Sequence, residues 1–67
     1  MDKEKVVAWL NYAIKTEIEA VSLYRKMAKR LPEVYRNTLI HILKEEREHI
    51  EELSSMLKHA SKQQGNL

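Results

Sequence analysis

Two carboxylates and one imidazole stand where a helical protein would place apolar side chains. Glu17 and Glu46 each lie in a stretch in which apolar residues recur every three or four positions. On a helical projection of about 100° per residue, each glutamate falls at the centre of its apolar arc. His49 follows Glu46 by three residues and falls within the same arc. Because an ionised carboxylate in an apolar seam needs a partner, this pattern predicts a bound metal cation.

The two glutamates are also predicted to lie at the same height along a helical hairpin. Glu17 precedes Pro32 by fifteen residues, and Glu46 follows it by fourteen. At 1.5 Å per residue, both lie roughly 21–23 Å from a turn at Pro32. In an antiparallel hairpin they therefore face each other, with His49 one turn away.

The elements that position these side chains are two long helices. Asp2 is a favourable N-cap for the first helix, and Pro32 fits the first position of the second. The predicted fold class is all-α, an antiparallel two-helix hairpin in a single domain. The sequence predicts, within residues 1–67, a helix at about 3–30, a turn at about 31–32, a helix at about 33–61 and a frayed tail at 62–67.

Composition excludes several classes of protein. The 67 residues include no Cys, which excludes disulfides and thiolate zinc sites. One Gly, one Pro and no Phe argue against a sheet protein. The longest apolar run, Val6 to Leu10, is too short for a membrane span or a signal peptide, so we expect a cytoplasmic protein without a membrane partner. A net charge of +2 does not indicate nucleic-acid binding.

The apolar arcs are wider than one hairpin can cover, which predicts a homodimer that forms a four-helix bundle. Two chains supply two copies of Glu17 and two copies of the Glu46-x-x-His49 motif. That set matches the carboxylate bundles that hold two iron or two manganese ions. Oxygen ligands with one imidazole per metal suit iron or manganese better than copper, and the expected content is two such ions per dimer.

The stretch from Glu17 to Ala28, followed by Glu45 to His49, resembles the ferritin-like di-iron superfamily. A hairpin with one Glu and one Glu-x-x-His is most similar to the encapsulated ferritins, which are related to rubrerythrin and build their site at a dimer interface. The resemblance implies that Glu17, Glu46 and His49 are iron ligands and catalytic residues. It also places Tyr24 beside the site.

The same resemblance implies a function and an assembly. The expected activity is that of a ferroxidase, an oxidoreductase that converts Fe(II) to Fe(III) for iron storage or detoxification. The expected assembly is a homodimer, extended in some members to a ring of dimers, inside an encapsulin shell. The last residues, Lys62 to Leu67, show no shell-targeting signature.

Two other functions fit parts of the pattern. A rubrerythrin-like protein would scavenge peroxide or oxygen with iron or manganese, although the cysteine-ligated iron centre of that branch has no counterpart in this chain. A metal-free hairpin dimer similar to Rop would bind RNA or a protein through its back-face Lys and Arg residues. That interpretation predicts Leu or Ala at positions 17 and 46.

The remaining charged residues are predicted to form a solvated surface. His41 and His59 fall on the back of the second helix. Lys44 with Glu48, and Arg47 with Glu51, have the spacing of surface ion pairs along one helix.

Overall fold

A computed structural model describes residues 2–63 as a hairpin of two long helices. Helix α1 spans Lys3–Arg30 and helix α2 spans Arg36–Lys62, with one turn of 3-10 helix at Glu33–Tyr35 between them. The molecule is a rod with extents of 50 × 14 × 13 Å. The prediction of an all-helical, two-helix fold is confirmed, and dimerisation into a four-helix bundle stays a prediction.

Asp2 caps the start of α1. Its carboxylate accepts hydrogen bonds from the backbone N–H groups of Glu4 at 2.8 Å and Lys5 at 3.3 Å. These two N–H groups have no carbonyl partner inside the helix, so the cap stabilises the first turn. At the other end, Lys29 and Arg30 complement the partial negative charge of the helix terminus.

The turn differs from the prediction in one respect. We expected Pro32 to begin the second helix, but its ψ of 147° is extended and α2 begins only at Arg36. Leu31 is extended as well, because a residue that precedes proline is sterically disfavoured in the helical region. The N–H of Tyr35 donates to the carbonyl of Pro32 at 3.0 Å, which closes the tight 3-10 turn.

Helix α2 ends at Lys62, where the N–H of Gln63 donates to the carbonyl of Ala60 at 3.2 Å. Lys62 is therefore helical, although the predicted frayed tail included it. The rest of that tail, residues 64–67, lies outside the described residues.

The core between the helices is thin. Only four apolar side chains within residues 2–63 are buried, namely Leu10, Val21, Leu39 and Ala60. Large apolar side chains stay in contact with solvent along the whole rod, among them Trp9, Tyr12, Ile18, Leu23, Leu31, Val34, Tyr35, Ile40 and Met56. The hairpin alone thus leaves much of its apolar surface uncovered, which is the condition from which the dimer was predicted.

Of the predictions for surface residues, the one for the two histidines is confirmed and the one for the two ion pairs is wrong. His41 and His59 are exposed, and His41 Nε2 lies 2.7 Å from Glu45 Oε1. Within residues 2–63, neither Lys44 with Glu48 nor Arg47 with Glu51 comes within ion-pair distance. Exposed charges keep their hydration at little cost, so correct helical spacing does not by itself form the pair. Neither helix is long and apolar enough to cross a membrane.

Candidate metal centre

The hairpin brings Glu17, Glu46 and His49 together. Each offers one ligand atom, and the three atoms all lie within 4.8 Å of one another. His49 Nδ1 is 3.9 Å from Glu17 Oε2 and 3.9 Å from Glu46 Oε1. Within residues 2–63, no other three His, Asp or Glu side chains converge in this way.

Packing of buried side chains on both sides of the cluster holds α1 against α2. Val21 lies one turn from Glu17 toward the hairpin turn, and Leu39 lies two turns from Glu46 in the same direction. Leu10 lies two turns from Glu17 toward the open end, where α1 begins and α2 ends. The site is therefore a polar segment in the middle of the apolar interface between the helices. The register of α1 against α2 determines which polar side chains meet there.

The three side chains of the cluster differ in how far they are exposed to solvent. The side chains are 18% exposed for Glu46, 27% for Glu17 and 49% for His49. The carboxylates therefore lie in the seam, and the imidazole lies at its edge. The site opens to solvent on the side of His49.

One oxygen in the cluster lacks any protein partner. Glu17 Oε2 is buried, and no residue in the described part of the chain forms a hydrogen bond with it. A separation of 3.9 Å to the imidazole is too long for a hydrogen bond. A buried acceptor without a partner costs about 1–3 kcal/mol, so the apo arrangement is unfavourable at this atom.

A metal ion fits the gap between these groups. Two ligands at about 2.0–2.2 Å from a common ion are themselves about 3–4 Å apart, which includes the observed 3.9 Å separations. The ion would occupy the free lone pairs of Glu17 Oε2. Two carboxylates and an imidazole, with no Cys in the chain, are a donor set for iron or manganese rather than for a thiolate-bound metal.

Tyr24 lies on α1 seven residues after Glu17 and is half-buried. Seven residues displace it by about 10 Å along the helix. Its hydroxyl is not a partner of Glu17 Oε2, since that oxygen has none. Its predicted place beside the site therefore stays a prediction.

Fold and site together define an all-helical protein with a carboxylate–histidine cluster at mid-hairpin that could hold a metal ion. The chain matches the Rubrerythrin family model over residues 8–66, which include nearly all of both helices. It therefore belongs to the rubrerythrin family, within the ferritin-like superfamily. Proteins of this family bind iron, and many are di-iron oxidoreductases. Comparison with curated proteins and with solved structures gave no significant match.

Proposed function

We propose that two copies of this chain form a di-iron centre that oxidises Fe(II) to Fe(III) with dioxygen, for iron storage or detoxification. The observation that carries the proposal is the buried, unpartnered Glu17 Oε2 within ligand distance of Glu46 and His49. A glutamate in the core destabilises a hairpin that binds no ion, because its charge is buried without a partner. A bound cation removes that cost.

The three side chains account for binding and for the direction of the reaction. Glu17 and Glu46 bring two negative charges, which balance one divalent ion per chain. The same charges stabilise a trivalent ion more than a divalent one, so they favour loss of an electron from bound Fe(II). His49 adds a neutral nitrogen ligand at the solvent edge, where iron enters.

Fe(II) is the substrate in this proposal, and dioxygen is the oxidant. Two Fe(II) ions release one electron each, and dioxygen takes both electrons with two protons to give hydrogen peroxide. Two adjacent ions let both electrons leave together, which a single site cannot do.

The second chain is needed because one chain offers too few ligands. Iron takes up to six ligands, and each hairpin brings only Glu17, Glu46 and His49 together. The large apolar side chains that the hairpin leaves exposed are the surface that a second copy of the chain would cover. We propose a homodimer with the site at its interface. Manganese in place of iron, a ring of dimers and an encapsulin shell belong to the same proposal as extensions of it.

Anaerobic Fe(II) titration followed by exposure to air tests the activity. We expect absorbance of oxo-bridged ferric iron to rise faster than in protein-free buffer and to saturate at two irons per dimer. Glu46→Ala should abolish the rise, and Glu48→Ala, an exposed glutamate two residues away, should keep it. A wild-type trace that matches buffer would refute the proposal.

The family match also favours a second candidate, reduction of hydrogen peroxide. In that reaction two Fe(II) ions give two electrons to peroxide, which takes two protons and leaves as two waters. These 67 residues include no Cys to hold a second iron centre, so in this proposal an external reductant restores Fe(II). Parallel assays with dioxygen and hydrogen peroxide as oxidants decide between the two, since the faster oxidant identifies the function.

A further inference from the structure

Two exposed isoleucines lie on the face of the hairpin away from the opening of the cluster. Ile18 of α1 is 53% exposed and Ile40 of α2 is 54% exposed. Ile18 is rotated by about 100° from Glu17, and Ile40 by about 120° from Glu46 in the same sense. Because the helices are antiparallel, the same sense of rotation leads to the same face of the hairpin. His49 is rotated by about 60° in the opposite sense, so the cluster opens on the other face.

The two isoleucines belong to one apolar patch. Measured from the level of Glu17 and Glu46, Ile18 lies about 1.5 Å and Ile40 about 9 Å toward the turn. Leu43 is half-buried and lies between them, at about 4.5 Å. A β-branched side chain slightly lowers helix propensity, and at these two exposed positions it gains little burial within the hairpin. A contact from outside the hairpin would bury the patch.

Three of the four arginines of the chain flank this patch. Arg47 lies at the level of Ile18, and Arg25 and Arg36 lie about 12 and 15 Å toward the turn. All three are exposed, and their rotation of about 80–100° places them on the face of the isoleucines. Within residues 2–63, none of the three lies within ion-pair distance of a carboxylate. We call this surface the arginine face, and it consists of Ile18, Arg25, Arg36, Ile40, Leu43 and Arg47.

The positive charge of the arginine face is not neutralised by acidic neighbours on the same face. Lys44 adds a fourth basic side chain, and between the levels of Arg47 and Arg36 no Asp or Glu of the two described helices has this rotation. Beyond Arg47, toward the open end, the charge changes sign at Glu48 and Glu51. These two glutamates line a groove of about 620 Å³ together with Ile40, Leu43, Lys44 and Arg47. The basic segment is thus about 17 Å long, which is the length of three helical turns.

We infer that the arginine face docks an acidic amphipathic helix of a partner protein, about twelve residues long. The apolar side of that helix covers Ile18, Ile40 and Leu43, and its carboxylates pair with the arginines. Arginine suits this role, because its planar guanidinium forms two parallel hydrogen bonds to one carboxylate. The inference goes beyond the proposed function and does not depend on metal, since the cluster opens on the other face.

The chemistry of the face favours a peptide over a nucleic acid or a membrane. Single-stranded nucleic acids stack their bases on aromatic side chains, and Trp and Tyr are enriched where proteins meet a membrane interface. None of the aromatic residues of the chain has the rotation of this face, namely Trp9, Tyr12, Tyr24 and Tyr35. A basic segment of three helical turns also matches one short helix better than an extended anionic surface.

Selection from random phage-displayed peptides of about twelve residues tests the chemistry of the partner. The target is wild type in chelator, and the counter-target is Arg25→Gln/Arg36→Gln/Arg47→Gln, the triple arginine variant. We expect the enriched peptides to have a net negative charge and aliphatic residues at three- and four-residue spacing. No enrichment, or enrichment of basic or uncharged peptides, would overturn the inference.

Fluorescence anisotropy with an enriched peptide measures the contribution of the charges. The triple arginine variant should bind it at least about tenfold more weakly than wild type, and added salt should weaken wild-type binding. The matched control is Lys5→Gln/Lys26→Gln/Arg30→Gln, which removes the same charge from exposed positions elsewhere on α1. This control should bind as wild type does. Equal losses in the two triple variants would show only a response to net charge and would overturn the inference.

The apolar patch is tested with the same peptide. Ile40→Ser should weaken binding, because it removes apolar surface that the partner helix covers. Leu23→Ser is the matched control, since Leu23 is 55% exposed and lies on another side of α1. Circular dichroism verifies that both variants keep the helical content of wild type. Unchanged binding by Ile40→Ser would contradict docking on this face.

Other occupants of the face give different results. A change in solution mass of the triple arginine variant would show that the face joins copies of this chain. Sedimentation of wild type with phosphatidylserine vesicles that is lost in this variant would show a membrane surface. RNA binding lost in the same variant would show a nucleic-acid surface, and any of the three results would overturn the inference.

Iron oxidation by wild type separates this inference from the proposed function. Active wild type that enriches no acidic peptide refutes only the docking. Inactive wild type that binds the acidic peptides refutes only the proposed function. Glu46→Ala should keep peptide binding, because Glu46 lies outside the arginine face, and loss of binding in this variant would contradict the separation of the two surfaces.

Discussion

His49 Nδ1 lies 3.9 Å from Glu17 Oε2, across the interface between the two helices of the hairpin. That separation is too long for a hydrogen bond and matches two ligands of one ion. The oxygen is buried and has no hydrogen-bond partner among residues 2–63, while the side chain of His49 is 49% exposed. A cation that entered from the side of His49 would complete this arrangement.

Metal binding should be visible as thermal stability without any redox chemistry. Ligands that bind only the folded state stabilise it by about 2.7 kcal/mol at one hundred times their Kd. We expect Mn(II) to raise the Tm of wild type and to leave the Tm of His49→Ala unchanged. His41→Ala is the matched control, because His41 is an exposed histidine of the same helix that lies beside Glu45 and outside the cluster. Equal responses of the two variants would contradict a ligand role for His49.

Removal of the unpartnered carboxylate should stabilise the metal-free protein. Glu17→Leu removes the buried Oε2, whose missing hydrogen bond costs about 1–3 kcal/mol, and extends the seam between Leu10 and Val21. We expect the free energy of unfolding in chelator to rise by about 1 kcal/mol. Urea denaturation measures it, and Glu19→Leu at an exposed position is the control. A loss of several kcal/mol would show that the carboxylate has a structural partner.

The N-cap gives a prediction that is independent of metal. Asp2→Ala leaves the N–H groups of Glu4 and Lys5 without their acceptor, so we expect a loss of about 1 kcal/mol in unfolding free energy. Asp2→Asn should recover most of it, since an amide oxygen also caps. Urea denaturation in chelator distinguishes the cap from any effect on the metal. An unchanged midpoint for the Ala variant would mean that the first turn contributes little to stability.

Local signals in the sequence account for much of this fold. Asp2 and the apolar periodicity indicate the two helices without reference to the rest of the molecule. The meeting of Glu17 with Glu46 was also predictable, because a short turn fixes the register of an antiparallel hairpin. His49 at i+3 from Glu46 follows from the same helical geometry.

Three features were not predicted, because each depends on the surroundings of a residue in the fold rather than on its position in the sequence pattern. Pro32 suits the start of an α-helix and the residue before a 3-10 turn equally well, so its pattern could not distinguish them. Tyr35 falls in the apolar arc yet is exposed, since a helical projection cannot show that the partner helix has ended. Lys44 and Glu48 have the correct spacing for an ion pair and remain apart, because hydration competes with pairing.

The metal-free alternative, an RNA-binding hairpin dimer, makes an opposite prediction about salt. If Lys and Arg on the back of the rod contacted phosphates, the RNA association constant would fall steeply with salt concentration. We expect no saturable binding of single-stranded or hairpin RNA at 50–200 mM salt, a range in which phosphate-binding proteins lose about 10³–10⁵ in affinity. Fluorescence anisotropy measures this, with Lys44→Glu/Arg47→Glu as the charge-reversed control. Tight binding that weakens with salt and is lost in this control would favour the RNA function, above all if Glu17→Leu leaves it intact.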